Sequence, residues 1–147
     1  MKILLIHGPN LNLLGRRKRE IYGDKTLPEL EAAVTQTARK LGASVMAYQS
    51  NHEGALIDFI QEEAPKAHGI IINPGALTHY GLSLRDALED SNLPVVEVHL
   101  SDIHAREEWR KKSVIEDVAK TQICGLGWQG YVDAVEFIVS FLNKKKK

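Results

Sequence analysis

The run Gly69-Ile70-Ile71-Ile72-Asn73 is apolar with no alternation. A strand that reads this way is buried on both faces, and the architecture that buries both faces is a parallel sheet covered by helices on each side. Four more short runs fit the same scheme: Lys2 to His7, Ser44 to Gln49, Val95 to His99 and about Thr121 to Gly125. Segments of helical periodicity separate them. Thr26 and Glu29 have capping-box spacing and open a helix presenting Leu30, Val34 and Leu41 that stops at Gly42. Ser50-Asn51-His52-Glu53 repeats that spacing before a helix with Leu56, Ile57 and Ile60 on one face, ended by Pro65. Further helices are expected over His79 to Asp90, in part of Ile103 to Lys112, and in a last segment presenting Val132, Val135, Val139 and Leu142.

Five βα units in 147 residues predict a flavodoxin-like doubly wound five-stranded parallel sheet with helices on both faces. We expect a single catalytic α/β domain over 1–147, with Lys144 to Lys147 as a solvated tail at a helix C-terminus. Lys and Arg total 19 against 19 Asp and Glu, which gives no polyanion-binding surface and hence no nucleic-acid partner. The single cysteine, Cys124, has no internal partner, and the apolar run Ile3 to Ile6 is too short for a signal peptide or a membrane span. These features predict a cytoplasmic protein with no membrane partner.

Open parallel sheets bind ligands beyond the carboxyl ends of their strands. Here those positions carry His7-Gly8-Pro9-Asn10, Asn73-Pro74-Gly75 with Thr78-His79, and Glu97-Val98-His99-Leu100-Ser101. Asn and His are neutral donors and acceptors suited to a hydroxylated compound. The connection over about 11–25 is long for a βα loop and reads as a flexible active-site lid. Its Arg16-Arg17-Lys18-Arg19 places four cations just before Tyr22, a flap suited to an anionic ligand such as a carboxylate or phosphate. A phenol has an ordinary pKa of about 10, and work as a base near 7 requires about 4 kcal/mol of differential stabilisation. One cation at ~4 Å supplies on the order of 4 kcal/mol at an effective dielectric of about 20. Tyr22 is therefore the candidate base. His99 is the candidate acid, and Glu97, on the same strand face, would raise its pKa or fix its tautomer. A base on a flap and an acid at a strand end would face a ligand from opposite sides, as a dehydration needs.

These residues lie in segments spread along most of the chain: His7-Gly8-Pro9-Asn10-Leu11-Asn12-Leu13-Leu14-Gly15, Glu20-Ile21-Tyr22-Gly23, Gln49-Ser50-Asn51-His52-Glu53-Gly54, Ile72-Asn73-Pro74-Gly75-Ala76, Leu84-Arg85-Asp86-Ala87-Leu88 and Glu97-Val98-His99-Leu100-Ser101-Asp102-Ile103-His104-Ala105-Arg106-Glu107-Glu108. Together they closely resemble the type II 3-dehydroquinate dehydratases, lyases of the shikimate and quinate pathways. The resemblance implies a cofactor-independent anti elimination of water from 3-dehydroquinate through an enolate. It implies that Tyr22 takes the proton beside the ketone with Arg17 helping to ionise it, that Asn10 orients a water on the enolate, and that His99, supported by Glu97, protonates the departing hydroxyl. By the same resemblance, Asn73, His79, Leu100, Ser101 and Arg110 bind substrate, and Asp86 is supplied from a neighbouring subunit in a homododecamer built of trimers. Two positions depart from the family pattern. Lys18-Arg19 stands where Glu-Pro is usual, which makes the flap more basic and less constrained, and Tyr80-Gly81 stands where Thr-Ser is expected.

Other readings of the same residues are weaker. No helical His-x-x-x-His or paired-cysteine spacing supports a metal site, and none is expected. Gly125-Leu126-Gly127-Trp128-Gln129-Gly130 satisfies a dinucleotide fingerprint, but no strand or acidic residue follows at the required distance, so tight helix packing is expected there. A Schiff-base route requires a lysine at the active rim, and none is placed there. His68 and His104 read as surface or packing residues, His52 as a capping or packing residue, and Arg85 and Asp86 could simply pair on a helix. The rival from another class is a non-catalytic small-ligand-binding module of flavodoxin-like fold.

Overall fold

The computed structural model describes residues 1–147. Strands β1 (Lys2–His7), β2 (Ser44–Gln49), β3 (Gly69–Asn73), β4 (Val95–His99) and β5 (Thr121–Cys124) form one sheet in the order β2-β1-β3-β4-β5. All four pairings are parallel. The helices are α1 (Arg19–Tyr22), α2 (Leu27–Lys40), α3 (Glu53–Glu63), α4 (Leu82–Asp90) and α5 (Gln129–Lys145).

Residue parity along the strands sorts the side chains into two apolar cores. Ile3, Leu5, Ile71, Val96 and Val98 pack with Leu30 and Val34 of α2 and Tyr131, Val135 and Ile138 of α5. Leu4, Ile6, Ile70, Ile72 and Val95 pack with Leu56 and Ile60 of α3 and Leu84 and Leu88 of α4. Every residue of β3 and β4 is buried; β3 is apolar up to Asn73, and β4 carries its two polar side chains, Glu97 and His99, on one face at its carboxyl end. Each fully buried Ile or Leu contributes on the order of 1.5–3 kcal/mol.

The strand boundaries agree closely with those expected, and several helical details differ for local reasons. Thr26 Oγ1 accepts the Glu29 N–H at 3.3 Å as the capping-box spacing predicts. Leu41 is 41% exposed as the residue that ends α2 and does not join its buried stripe. Ser50 is not the α3 cap: its hydroxyl accepts the His52 N–H at 3.0 Å in the preceding turn, and His52, at the cap position, makes no side-chain cap bond. Glu53 reaches across to α4 instead and accepts the Leu84 N–H at 3.0 Å. The helix expected from His79 begins only at Leu82, after a 3₁₀ segment over Gly75–His79. The Tyr80-Gly81 departure falls at this break, where Tyr80, at φ −149° and ψ 1°, leaves the helical region. The charged segment after β4 forms two 3₁₀ turns, Ile103–Ala105 and Glu108–Arg110, and no α-helix. Within α5, Tyr131, Ala134, Val135, Ile138 and Val139 are the buried stripe, while Val132 and Leu142 are only partly covered.

The glycine-rich fingerprint serves packing, as expected. A Cβ at Gly130 would press on Ile123 at 3.2 Å. No helix is long and apolar enough to cross a membrane.

Candidate active site

At the carboxyl ends of β1, β3 and β4 the turns close on one another. Gly8 N–H donates to the Asn73 carbonyl at 2.8 Å, and a side chain at Gly8 would collide with the Pro74 carbonyl. Gly75, at φ +61°, leaves no room for a Cβ against the Pro9 carbonyl, 2.9 Å away. Asn10 takes the left-handed conformation, φ 71°, which Asn tolerates better than other side chains. Its N–H donates to Asn51 Oδ1 at 2.9 Å, and the Gln49 amide bridges Gly8 and Asn51. The loop after β2 thus braces the loop after β1.

A cavity of about 110 Å³ opens between these turns, the segment after β1 and the segment after β4. Asn10, Arg17, Tyr22, Asn73, His79, His99, Leu100, Ser101 and Arg110 all line it. Three guanidinium groups, those of Arg17, Arg106 and Arg110, face it, and its lining includes no carboxylate and no lysine. Such a wall favours a small anion, and arginine is the cation best matched to a carboxylate.

On the β4 side, Glu97 is wholly buried and accepts four side-chain donors. His99 Nε2 donates to Oε2 at 2.6 Å, Thr78 Oγ1 at 2.7 Å and the Gln122 amide at 2.9 Å, while Ser113 donates to the carboxylate at 2.8 Å from Oε1. The Ser113 oxygen itself accepts the Ile115 and Glu116 N–H groups. Burial pushes the Glu97 carboxyl up, but the His99, Thr78 and Gln122 hydrogen bonds outweigh it and hold the group below the usual carboxylate range. Glu97 is therefore an anion, and His99 Nδ1 is the ring nitrogen left for a ligand. Of the two effects expected of Glu97, the structure displays the fixing of the ring.

His79 Nδ1 donates to the Lys112 carbonyl at 2.7 Å, and its ring meets Trp109 edge-on at 5.3 Å. Burial holds its pKa below the ordinary value, with the nearby His99 and Arg110 acting the same way. Neutral His79 presents Nε2 as an acceptor. Arg110 is tied to Glu107 through Nε and lies over Trp109 at 4.1 Å. Cys124, beside His99 in the β4–β5 register, has its thiol pushed by burial up to about 12 and stays protonated at neutral pH.

On the flap side, Tyr22 ends the four-residue α1. Arg17 stacks on its ring, Cζ 3.8 Å from the centroid. The hydrogen bond to the phenol comes from elsewhere: Arg106 Nη1 donates to Tyr22 Oη at 3.0 Å, with a longer approach of 3.4 Å to Ser101 Oγ. The sequence points to Arg17 as the helping cation; the structure sets Arg17 on the ring face and a second arginine at the oxygen. Arg106, in the irregular segment after β4, is the cation at the oxygen. It was missed because nothing in the spacing of Tyr22 and Arg106, 84 residues apart, links them. The signal available was position, since Arg106 lies in the same post-strand segment as His99 and Ser101.

The Dehydroquinase class II family model matches residues 1–139. The chain belongs to this family. It is 58% identical over 139 residues to a 3-dehydroquinate dehydratase of Roseiflexus castenholzii, covering 95% of this chain and 88% of that one. It is 52% identical to a catabolic 3-dehydroquinase of Aspergillus clavatus, over 99% and 95% of the two chains. The crystal structure of the type II dehydroquinase from Butyrivibrio crossotus superposes with a TM-score of 0.91 at 46% identity, covering 94% of this chain and 97% of that one.

Glu97 lies behind the cavity wall, hydrogen-bonded to His99, which lines it. Asp86 does not reach its own cavity. It sits on α4 with a side chain 71% exposed, 3.7 Å from Arg85.

Proposed function

We propose that the chain converts 3-dehydroquinate to 3-dehydroshikimate and water, with Tyr22 and His99 as its base and acid. Arg106 donates to the Tyr22 oxygen and Arg17 stacks on its ring, two cations set against the group that would remove the proton from the carbon beside the ketone. The electron pair of that C–H bond becomes an enolate, and a water held by Asn10 supports its oxygen. The enolate then expels the hydroxyl on the next carbon, which leaves as water with a proton from His99 Nδ1. Giving up that proton requires a ring protonated at both nitrogens, and the Glu97 anion is the counter-ion for it. Tyr22 ends with the proton taken from carbon and His99 is one proton short, its proton having left in the water; proton exchange with solvent resets both.

Asn73, neutral His79, Leu100 and Ser101 fit the substrate's hydroxyl groups, and Arg110 fits its carboxylate. Residues 11–25 act as a lid that dries the site when it closes. The chain is a single catalytic domain and works in the cytoplasm as a dodecamer of trimers. The exposure of Asp86 supports its delivery to a neighbouring subunit's cavity, whose own wall has no carboxylate.

The observation that carries this reading is the Arg106–Tyr22 hydrogen bond across a cavity wall shared with the Glu97–His99 pair. The product is a conjugated enone, so ultraviolet absorbance should rise on adding 3-dehydroquinate. Binding without any rise would favour a non-catalytic ligand module. Borohydride added with substrate should leave activity intact because no lysine lines the cavity. A trapped, inactive adduct would refute the mechanism.

A further inference from the structure

A second buried polar cluster lies on the other face of the sheet, where β1 and β3 end beneath α2 and α5. Asn73 Nδ2 donates to Tyr131 Oη at 2.8 Å, and Asn73 Oδ1 accepts the Gly75 N–H at 3.0 Å. Both edges of the Asn73 amide are thus held, one by a side chain and one by backbone. Tyr131 is 0% exposed. Burial pushes its phenol far above the ordinary value, and the negative charge of Glu31 pushes the same way, so its hydroxyl stays intact at any working pH. Fully buried His7 borders the same space, its ring 6.2 Å from that of Tyr131. His7 Nε2 lies 3.2 Å from Glu31 Oε1, at ion-pair distance, and neither ring nitrogen has the alignment of a hydrogen bond.

None of Tyr131, His7 and Glu31 lines the cavity, whereas Asn73 does. We propose that Tyr131 is a positioning residue for substrate binding: its hydroxyl fixes the Asn73 amide so that one N–H is presented to a substrate hydroxyl, with Glu31 and His7 closing the cluster behind it. The physical ground is that a buried phenol accepting one hydrogen bond leaves Asn73 a single satisfied orientation. Without it, the amide would either lose a partner or rotate. The inference rests on Asn73 being a substrate contact.

The test is a double-mutant cycle on the full-length enzyme, read by steady-state kinetics. Tyr131→Phe removes only the oxygen and keeps the ring packed. It should raise KM about five- to tenfold with a smaller change in kcat, because a contact made equally in ground and transition states acts on binding. Asn73→Ala should raise KM at least as much, and adding Tyr131→Phe to it should raise KM no further. If Asn73→Ala leaves KM unchanged, the substrate contact itself is wrong. If Asn73→Ala raises KM while Tyr131→Phe does not, or the two effects multiply, Tyr131 has no positioning role. A Tyr131→Phe protein that melts earlier yet keeps wild-type KM would show a purely structural hydroxyl and overturn the proposal.

Discussion

On the β4 side of the cavity, His99 and Glu97 are 5% and 0% exposed, and the carboxylate is enclosed by Thr78, Ser113 and Gln122. On the flap side, Tyr22 ends a helix with no buried residue and is held by an arginine stacked on its ring and another at its hydroxyl. The first half is locked by hydrogen bonds that folding itself requires, since unmade bonds around a buried carboxylate are costly. The second half is held by contacts between the partly exposed side chains of Arg17, Tyr22 and Arg106. His99 is therefore tied through Glu97 into the stability of the fold, whereas the Tyr22 hydroxyl is held by the partly exposed Arg106 and only the ring packs, partly buried, against the core.

The sharpest way to break this contrast is Tyr22→Phe. Loss of the general base should lower kcat by on the order of 10³-fold or more, followed as enone absorbance, while the thermal midpoint stays close to wild type. A large fall in that midpoint would mean the flap supports the fold and the two halves are not of different kinds. Arg106→Ala comes next. It removes one charge-assisted hydrogen bond, worth about 1.5–3 kcal/mol, and should lower kcat by roughly ten- to a hundredfold with little effect on stability. An unchanged kcat would return the phenol to the flap arginines alone.

The same contrast explains what was legible in the sequence. Apolar runs and their spacing located all five strands: burial on both faces leaves a local trace in β1, β3 and β4, and the partly exposed edge strands β2 and β5 follow from short runs that alternate with helical segments. The Glu97–His99 contact follows from strand parity, a period-two rule that needs no tertiary information. The Arg106–Tyr22 contact, the Tyr131–Asn73 bond and the Glu53 cap on α4 join residues far apart in the chain, and no local periodicity encodes them. Capping was legible at Thr26, where the donor lies three residues on. It misled at Ser50, where the hydroxyl bonded the nearer His52 N–H and Glu53 found a partner on another helix. The flap cations pointed to Tyr22, and the resemblance to a family added the roles of Arg17 and Asn10 beside it, which spacing alone does not assign.

The most diagnostic effect falls on stability, because it reads the buried half directly. Glu97→Gln keeps the shape of the side chain but turns one accepting oxygen into a donor facing Thr78, Gln122 or His99. It should cost about 2–3 kcal/mol at neutral pH by denaturant titration. The difference from wild type must depend on pH in a set direction. The folded Glu97 carboxyl is held below its ordinary value, so the folded state binds fewer protons there than the unfolded state. Its stabilisation is fully present above about pH 4.3 and fades as pH falls through the lower folded value. Wild type and Glu97→Gln should therefore converge below that window. His79, whose folded value is also lowered, contributes an earlier loss as pH drops below about 6.5. The variant retains that upper limb. If the gap between the two proteins stayed constant from neutral pH down into the acid limb, Glu97 would not be the buried anion that holds His99 in place.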